Sequence, residues 1–103
     1  MSTEPHPEGS AIRRVVQLRN RLGVHARPAN LIVRTAMKFA AKVEIAKGNE
    51  LVDAKSMLSL LTLGAEQGSE LIILADGDDA EAAVAEIGDL FDRGFDEEEE
   101  PAS

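Results

Sequence analysis

The chain contains no cysteine, no tryptophan and no tyrosine. The absence of cysteine excludes disulfide bonds, thiolate catalysis, iron–sulfur clusters and thiolate zinc sites. With only three phenylalanines there are few rings on which bases can stack, so we expect no nucleic-acid binding. No apolar run approaches membrane-spanning length and no signal-peptide pattern opens the chain, so we expect a cytoplasmic protein without membrane insertion.

The net charge of −8 arises mainly at the ends of the chain. Residues 12–95 carry 11 basic and 12 acidic side chains, whereas the run DEEEE at 96–100 contains acids alone. Within the central part the signs are segregated, because residues 12–34 hold arginines and no acid, while acids gather at 76–89. This segregation fits a face that meets anions or acidic partners, and equally a solvated charge distribution.

Composition divides the 103 residues into three parts. Residues 1–11 include the polar segment MSTEPHPEGS and are predicted to be a disordered leader, in which His6 has no specific role. Residues 94–103 are predicted to be an acidic disordered tail. Residues 12–93 then form one domain with one hydrophobic core.

Hydrophobic periodicity predicts four strands and three helices in the order β-α-β-β-α-β-α. The predicted strands are 11–18, 42–46, 50–53 and 71–75, and the predicted helices are 26–40, 56–63 and one that follows the DGDD turn at 76–79 as its cap. Ile32 and Ile73 are predicted core positions, and Gly88 is expected to weaken the last helix slightly. This order favours an α+β fold, with one four-stranded sheet covered on one face by helices.

The segment GVHARPAN at 23–30 places a histidine directly before a predicted helix. Proline is tolerated in a first helical turn and disfavours helical dihedrals in the residue before it, so Pro28 fixes the helix start near Ala26. Gly23 allows a sharp turn out of the preceding strand. His25 therefore lies at or next to the N-cap, beside unpaired backbone N–H groups.

A histidine in this position has the properties needed for phosphoryl transfer. The positive helix end favours the neutral, nucleophilic imidazole and also an anion placed beside it. Arg27 adds a guanidinium that can pair with phosphate oxygens. The alternative is a capping or surface histidine with no chemical role. A zinc site is disfavoured, because the other histidine lies in the leader.

Two segments resemble the signatures of the HPr family, the phosphocarriers of the bacterial phosphoenolpyruvate-dependent phosphotransferase system. NRLGVHARPA at 20–29 is similar to the family's active-site segment, and DAKSMLSLLTLGAEQGSEL at 53–71 is similar to the stretch around its regulatory serine. The resemblance covers about residues 12–93. It implies the HPr-like open-faced sandwich, whose four-stranded sheet is antiparallel.

The resemblance also implies roles for individual residues. His25 would be phosphorylated on Nδ1 by enzyme I and would pass the group to an EIIA-type acceptor. Arg27 would steady the phosphoryl group, together with the backbone N–H groups of Ala26 and Arg27. Neither a cofactor nor a metal is implied, and a monomer is expected.

The second segment matches a regulatory serine and an apolar docking patch. Ser56 corresponds to the residue that HPr kinase/phosphorylase modifies in many bacteria, and Met57, Leu58 and Leu61 correspond to the patch that docks partners. Ser56 is equally a plain N-cap of a short helix. Core packing is the alternative for the patch, although this helix is too short to bury all its large apolar residues, so we expect at least two to be exposed.

Three further alternatives follow from the same residues. One is a regulatory binding module that is switched by phosphorylation of Ser56 and does not need His25. Another is the nitrogen-regulatory branch of the family, since NRLG and FDRGFDEEEE resemble that branch while Pro28 is typical of the sugar-transport branch. The third is an unrelated α+β domain that contains HARPA by accident.

Overall fold

The computed structural model of the protein describes residues 11–97. The predicted element order is confirmed, with one 3-10 turn added after the last helix. The leader up to residue 10 and residues 98–103 of the predicted tail lie outside the described residues. The elements are β1 (Ala11–Gln17), α1 (Ala26–Ala36), β2 (Lys42–Lys47), β3 (Glu50–Asp53), α2 (Met57–Thr62), β4 (Glu70–Asp76), α3 (Ala80–Asp92) and the 3-10 turn (Gly94–Asp96).

The four strands form a single antiparallel sheet in the order β1-β4-β2-β3. The most apolar run, LIILA, lies in β4 and pairs with both β1 and β2, as expected for a central strand. Successive side chains of a strand point to opposite faces, and in β4 Leu71, Ile73 and Ala75 are buried while Ile72 and Leu74 are half-buried. One face of the sheet therefore holds the core and the other is open.

The three helices cover the buried face of the sheet. Ile32 of α1 and Ile87 and Phe91 of α3 are completely buried, and Leu60 of α2 is almost so. Ile73 lies opposite them in β4, with no exposed surface. The predicted core positions Ile32 and Ile73 and the α+β class are thus confirmed.

Helix α1 ends earlier than the predicted residue 40. Its last residue is Ala36, and Ala40, the last residue of the predicted helix, is exposed. The carboxylate of Asp79 accepts hydrogen bonds from the N–H groups of Ala40 and Ala41, at 2.9 and 2.8 Å. These bonds come from a residue far along the chain and hold this segment in a non-helical path, which periodicity alone cannot reveal.

Asp79 also departs from its predicted role at the start of α3. It occupies the N-cap position, but its side chain makes no capping hydrogen bond within that helix. Its carboxylate is directed instead to the segment that follows α1. Through Asp79, the DGDD turn therefore connects the segment after α1 to the start of α3, instead of only capping α3.

Gly88 creates space between α3 and β1. A Cβ atom built at this glycine would lie only 2.1 Å from Nη1 of Arg14. The same guanidinium donates to Asp92, with 2.7 Å between Nη2 and Oδ2. Glycine lowers the stability of a helix interior, but at position 88 it also leaves room for the Arg14 side chain of β1 to pack closely against α3.

The ordered structure continues beyond the predicted boundary at residue 93. Phe95 is completely buried, and its ring packs edge-on against Phe91 with 4.9 Å between the centroids. Left-handed φ angles of 58° and 61° at Phe95 and Asp96 turn the chain back towards the domain. Residues 94–97, which composition assigned to a disordered tail, belong to the folded domain because one aromatic side chain enters the core.

Truncating the central strand should destabilise the fold. For Ile73→Ala we expect the free energy of unfolding to fall by about 2–5 kcal/mol, because a completely buried side chain leaves a cavity. Urea denaturation followed by circular dichroism measures this loss. Ile72→Ala, on the open face of the same strand, is the matched control and should lose less. A loss below about 1 kcal/mol for Ile73→Ala would contradict the assigned core face.

The Asp79 contacts should make stability depend on acid pH. The backbone hydrogen bond from Ala40, the largest cause, holds the pKa of the Asp79 carboxyl below its ordinary value of 3.8. A lowered folded-state pKa stabilises the protein above the unfolded-state pKa, and this contribution is lost as pH falls through the folded-state value. We therefore expect Asp79→Ala to be less stable than the wild type at neutral pH, with the difference shrinking below about pH 4. Thermal unfolding across pH tests this. The control Asp78→Ala, at an exposed neighbour, should follow the wild type.

Candidate functional site

A tight turn after β1 determines where α1 begins. Gly23 has a φ of +70°, and a Cβ atom placed there would lie 2.4 Å from the carbonyl oxygen of Ala65. The N–H of Val24 donates to that same carbonyl at 3.2 Å. Only glycine satisfies both the left-handed conformation and this close approach. The role predicted for Gly23 therefore extends from local turning to contact with a second loop.

His25 is the N-cap of α1, as the sequence predicts. Its backbone is extended, with φ −109° and ψ −166°, and its carbonyl accepts the N–H of Ala29 at 2.9 Å. Pro28 lies in the first turn and lacks an N–H group. The N–H groups of Ala26 and Arg27 have no partner within the helix, because the first turn has no preceding carbonyls to bond. The positive end of α1 is thus directly adjacent to the imidazole.

Glu97 is the functional neighbour that sequence reasoning missed. Nε2 of His25 lies 2.9 Å from Oε2 and 3.3 Å from Oε1 of this carboxylate. An ionised carboxylate only accepts hydrogen bonds, so a neutral His25 ring that makes this contact has its proton on Nε2. Within residues 11–97 Nδ1 has no hydrogen-bond partner. The nitrogen that the family resemblance assigns to phosphorylation therefore carries the unshared electron pair.

Arg27 contacts the same C-terminal segment. Its Nη1 donates to the carbonyl of Phe95 at 2.9 Å and lies 3.5 Å from Oε2 of Glu97. The side chain remains about half exposed, and its other guanidinium nitrogens have no partner in the described part of the chain. Arg27 thus combines a structural contact with donors available to an anion beside His25.

Helix α2 presents the predicted regulatory and docking residues. Ser56 is its N-cap, and Oγ accepts the N–H of Ser59 at 3.2 Å, which confirms the capping interpretation. Leu58 and Leu61 are exposed, which confirms that at least two apolar residues of this segment face solvent. Met57 is partly buried and packs against the core. Helix α2 packs against α1, the helix that His25 caps.

The sequence did contain one signal for the missed segment. Gly94 and Phe95 interrupt a run that is otherwise acidic and polar, and a lone aromatic with an adjacent glycine is typical of a chain that folds back. The identity of the residue that meets His25 was not readable, because Glu97 is one of four consecutive glutamates.

The described residues form neither a cluster of metal ligands nor a membrane-spanning helix. Within residues 11–97 no group of three or more His, Cys, Asp or Glu side chains is placed to hold a metal ion. None of the helices in this range is long and apolar enough to cross a membrane.

Comparison with known proteins identifies the family. The family model described as the PTS HPr component phosphorylation site matches residues 12–93. The chain belongs to the HPr family. It is 41% identical over 85 residues to the phosphocarrier protein HPr of Treponema pallidum (strain Nichols), a match that covers 82% of this chain and 97% of the relative. These matches are to the HPr phosphocarrier family of the phosphotransferase system.

Other HPr proteins agree in sequence and in structure. The phosphocarrier protein HPr of Streptomyces coelicolor is 42% identical over 76 residues, covering 73% of this chain and 82% of the relative. The crystal structure of HPr-C-His from Thermoanaerobacter tengcongensis superposes with a TM-score of 0.79 at 40% identity, over 84% of this chain and 98% of that one. The predicted open-faced sandwich is thereby confirmed.

Replacing Gly23 should disturb the site as well as the fold. We expect Gly23→Ala to lower the free energy of unfolding by more than about 1 kcal/mol, since it adds both left-handed strain and a clash with Ala65. The matched control is Gly64→Ala, where φ is +64° but nothing lies within 4 Å of the added Cβ. Denaturation should show the larger loss at Gly23, and NMR should show shifted His25 ring signals in that variant alone. Equal losses in the two variants would contradict the importance of the close approach.

Proposed function

We propose that this protein is a phosphocarrier in which Nδ1 of His25 accepts a phosphoryl group from phospho-enzyme I and passes it to an EIIA-type protein. The observation that carries the proposal is the geometry of one ring. His25 caps α1, Nε2 is held by Glu97, and Nδ1 has no hydrogen-bond partner among the described residues. A neutral imidazole with an unshared pair on Nδ1 is the nucleophile that this transfer requires.

The neighbouring groups supply charge for the phosphoryl oxygens. The N–H groups of Ala26 and Arg27 lie at the positive end of α1, where an anion is stabilised by about 0.3–1 kcal/mol at an exposed site. The Arg27 guanidinium is about half exposed and retains unused donors. These groups favour a phosphoryl on His25 through their position and charge.

The partner surface proposed for enzyme I and the EIIA-type acceptor lies on α2. Leu58 and Leu61 are exposed by 71% and 39%, which suits transient apolar contact. Met57 contributes less surface, because it also packs on the core. The carrier acts as a cytoplasmic monomer in this proposal, in either the sugar-transport or the nitrogen-regulatory branch.

Regulation at Ser56 is the second candidate function. Its Oγ is engaged with the Ser59 N–H, so modification by HPr kinase/phosphorylase would replace a capping oxygen with a phosphate at the N-terminus of α2. Such a phosphate carries about two negative charges next to the exposed Leu58, and these would repel an acidic partner face. This alternative predicts that Ser56→Ala abolishes regulation while His25→Ala retains it.

The phosphocarrier proposal is tested by phosphorylation with phosphoenolpyruvate and purified enzyme I. Mass spectrometry should map one acid-labile, base-stable phosphate to His25, and His25→Ala should remain unlabelled. Arg27→Ala should accept phosphate more slowly and keep stability within about 1 kcal/mol, as expected for an exposed arginine. The matched control is Arg34→Ala, an exposed position of the same helix, which should accept phosphate at the wild-type rate. Labelling that persists in His25→Ala would contradict the proposal.

A further inference from the structure

Glu97 lies outside the segment that matches the family model, yet it makes three side-chain contacts at the site. Its carboxylate lies 2.9 Å from Nε2 of His25, 2.9 Å from Nδ2 of Asn20 and 3.5 Å from Nη1 of Arg27. Its side chain is only 18% exposed, although it opens a run of four glutamates. A glutamate without specific partners is mostly exposed to solvent, so this low exposure indicates that Glu97 is held by its contacts.

Asn20 orients the carboxylate of Glu97. This residue is 1% exposed and is the one buried polar residue in the described part of the chain. Its amide nitrogen has two hydrogens, which go to the carbonyl of Gly23 at 2.7 Å and to Oε1 of Glu97 at 2.9 Å. One buried side chain therefore links the turn that precedes His25 with the carboxylate that contacts its ring.

The C-terminal turn holds Glu97 in reach of the ring. Phe95 anchors this turn in the core, and its carbonyl accepts from Arg27 at 2.9 Å. Glu97 lies two residues after Phe95. The buried Phe95 ring and the hydrogen bond from Arg27 therefore both restrict where the Glu97 backbone can lie. The network is thus assembled from three separate parts of the chain around a single imidazole.

We propose that Asn20 and Glu97 are positioning residues that hold His25 as the Nε2–H tautomer, with Nδ1 directed to the incoming phosphoryl group. This inference rests on the proposed transfer at His25. In the transfer, the Nδ1 electron pair forms the new N–P bond, while the bond from phosphorus to the donor breaks and its electron pair stays with the donor. The proton stays on Nε2, and the carboxylate of Glu97 offsets the positive charge that develops on the ring.

The expected loss of phosphorylation rate in Glu97→Ala can be judged from metal-binding histidines that a carboxylate orients. When a carboxylate that holds the second nitrogen of a metal-binding histidine is removed, the metal affinity or the activity falls by about 10- to 100-fold. We expect a decrease in the same range, about 10-fold or more, in the maximal rate at which enzyme I phosphorylates Glu97→Ala. The KM for the carrier should change little, because the docking residues on α2 are untouched.

The experiment compares three full-length variants with the wild type in the phosphoenolpyruvate and enzyme I assay. Glu97→Ala removes the carboxylate, whereas Glu97→Gln retains an oxygen that accepts from His25 and Asn20, so its rate should lie between those of Glu97→Ala and the wild type. Glu98→Gln removes one charge from the same acidic run and should transfer at the wild-type rate. This control separates the specific contact from the net charge of the segment.

A spectroscopic readout separates positioning from a purely structural role. The ¹⁵N chemical shifts of the His25 ring at neutral pH should report the Nε2–H tautomer in the wild type and Glu97→Gln, and a mixture of tautomers in Glu97→Ala. Urea denaturation of each variant then shows whether lost stability accounts for a slower rate. Asn20→Ala should move the ring shifts in the same direction, if it folds.

The outcomes distinguish this inference from the function on which it rests. Wild-type labelling with an equal rate in Glu97→Ala would overturn the positioning role and leave the phosphocarrier intact. No labelling of the wild type would overturn both. A slow Glu97→Ala variant with unchanged ring shifts would also overturn the positioning role, because the carboxylate would then act in some other way.

Discussion

The close approach of Gly23 to the carbonyl of Ala65 is the constraint on which the site depends. It fixes the turn that follows β1, and His25, the N-cap of α1, lies two residues after this glycine. Pro28 is compatible with this start because it lies in the first turn of α1, where its missing N–H group has no helical partner to lose. The imidazole thereby lies against the positive end of a helix whose opposite face is packed in the core.

The site is completed by residues that are remote in sequence. Glu97 is 72 residues from His25, and Asp79 is 38 residues from Ala41. In both cases a carboxylate contacts a segment that is remote in sequence, at the start of α1 for Glu97 and after its end for Asp79. Some charged side chains that are far apart in the sequence also form ion pairs across the fold. Arg14 pairs with Asp92, and Lys38 pairs with Glu86. Each exposed ion pair of this kind contributes little to the free energy of unfolding, so the main effect of the two pairs is to neutralise charge locally.

Sequence reasoning succeeded where the information is local. Alternation within strands, helical spacing and the Gly-x-His-x-x-Pro arrangement predicted the element order, the buried face of β4 and the position of His25 at its helix. It failed where a contact joins distant segments. The end of α1 depends on Asp79, and the ordered turn at 94–97 depends on a pocket for Phe95 that no single segment displays. The contact of Glu97 with His25 could not be predicted from the sequence, because three further glutamates follow it directly and only the fold-back of the chain distinguishes it from them.

The anchoring of Phe95 also dictates where the remainder of the chain leaves the domain. The chain that follows Glu97 starts beside the imidazole of His25. By contrast, β1 extends over about 20 Å, so Ala11 lies at the opposite end of this strand from the turn that leads to His25. A purification handle or fluorophore attached on the N-terminal side therefore starts at the end of β1 that is remote from this turn, whereas one attached directly after Glu97 starts beside the imidazole of His25.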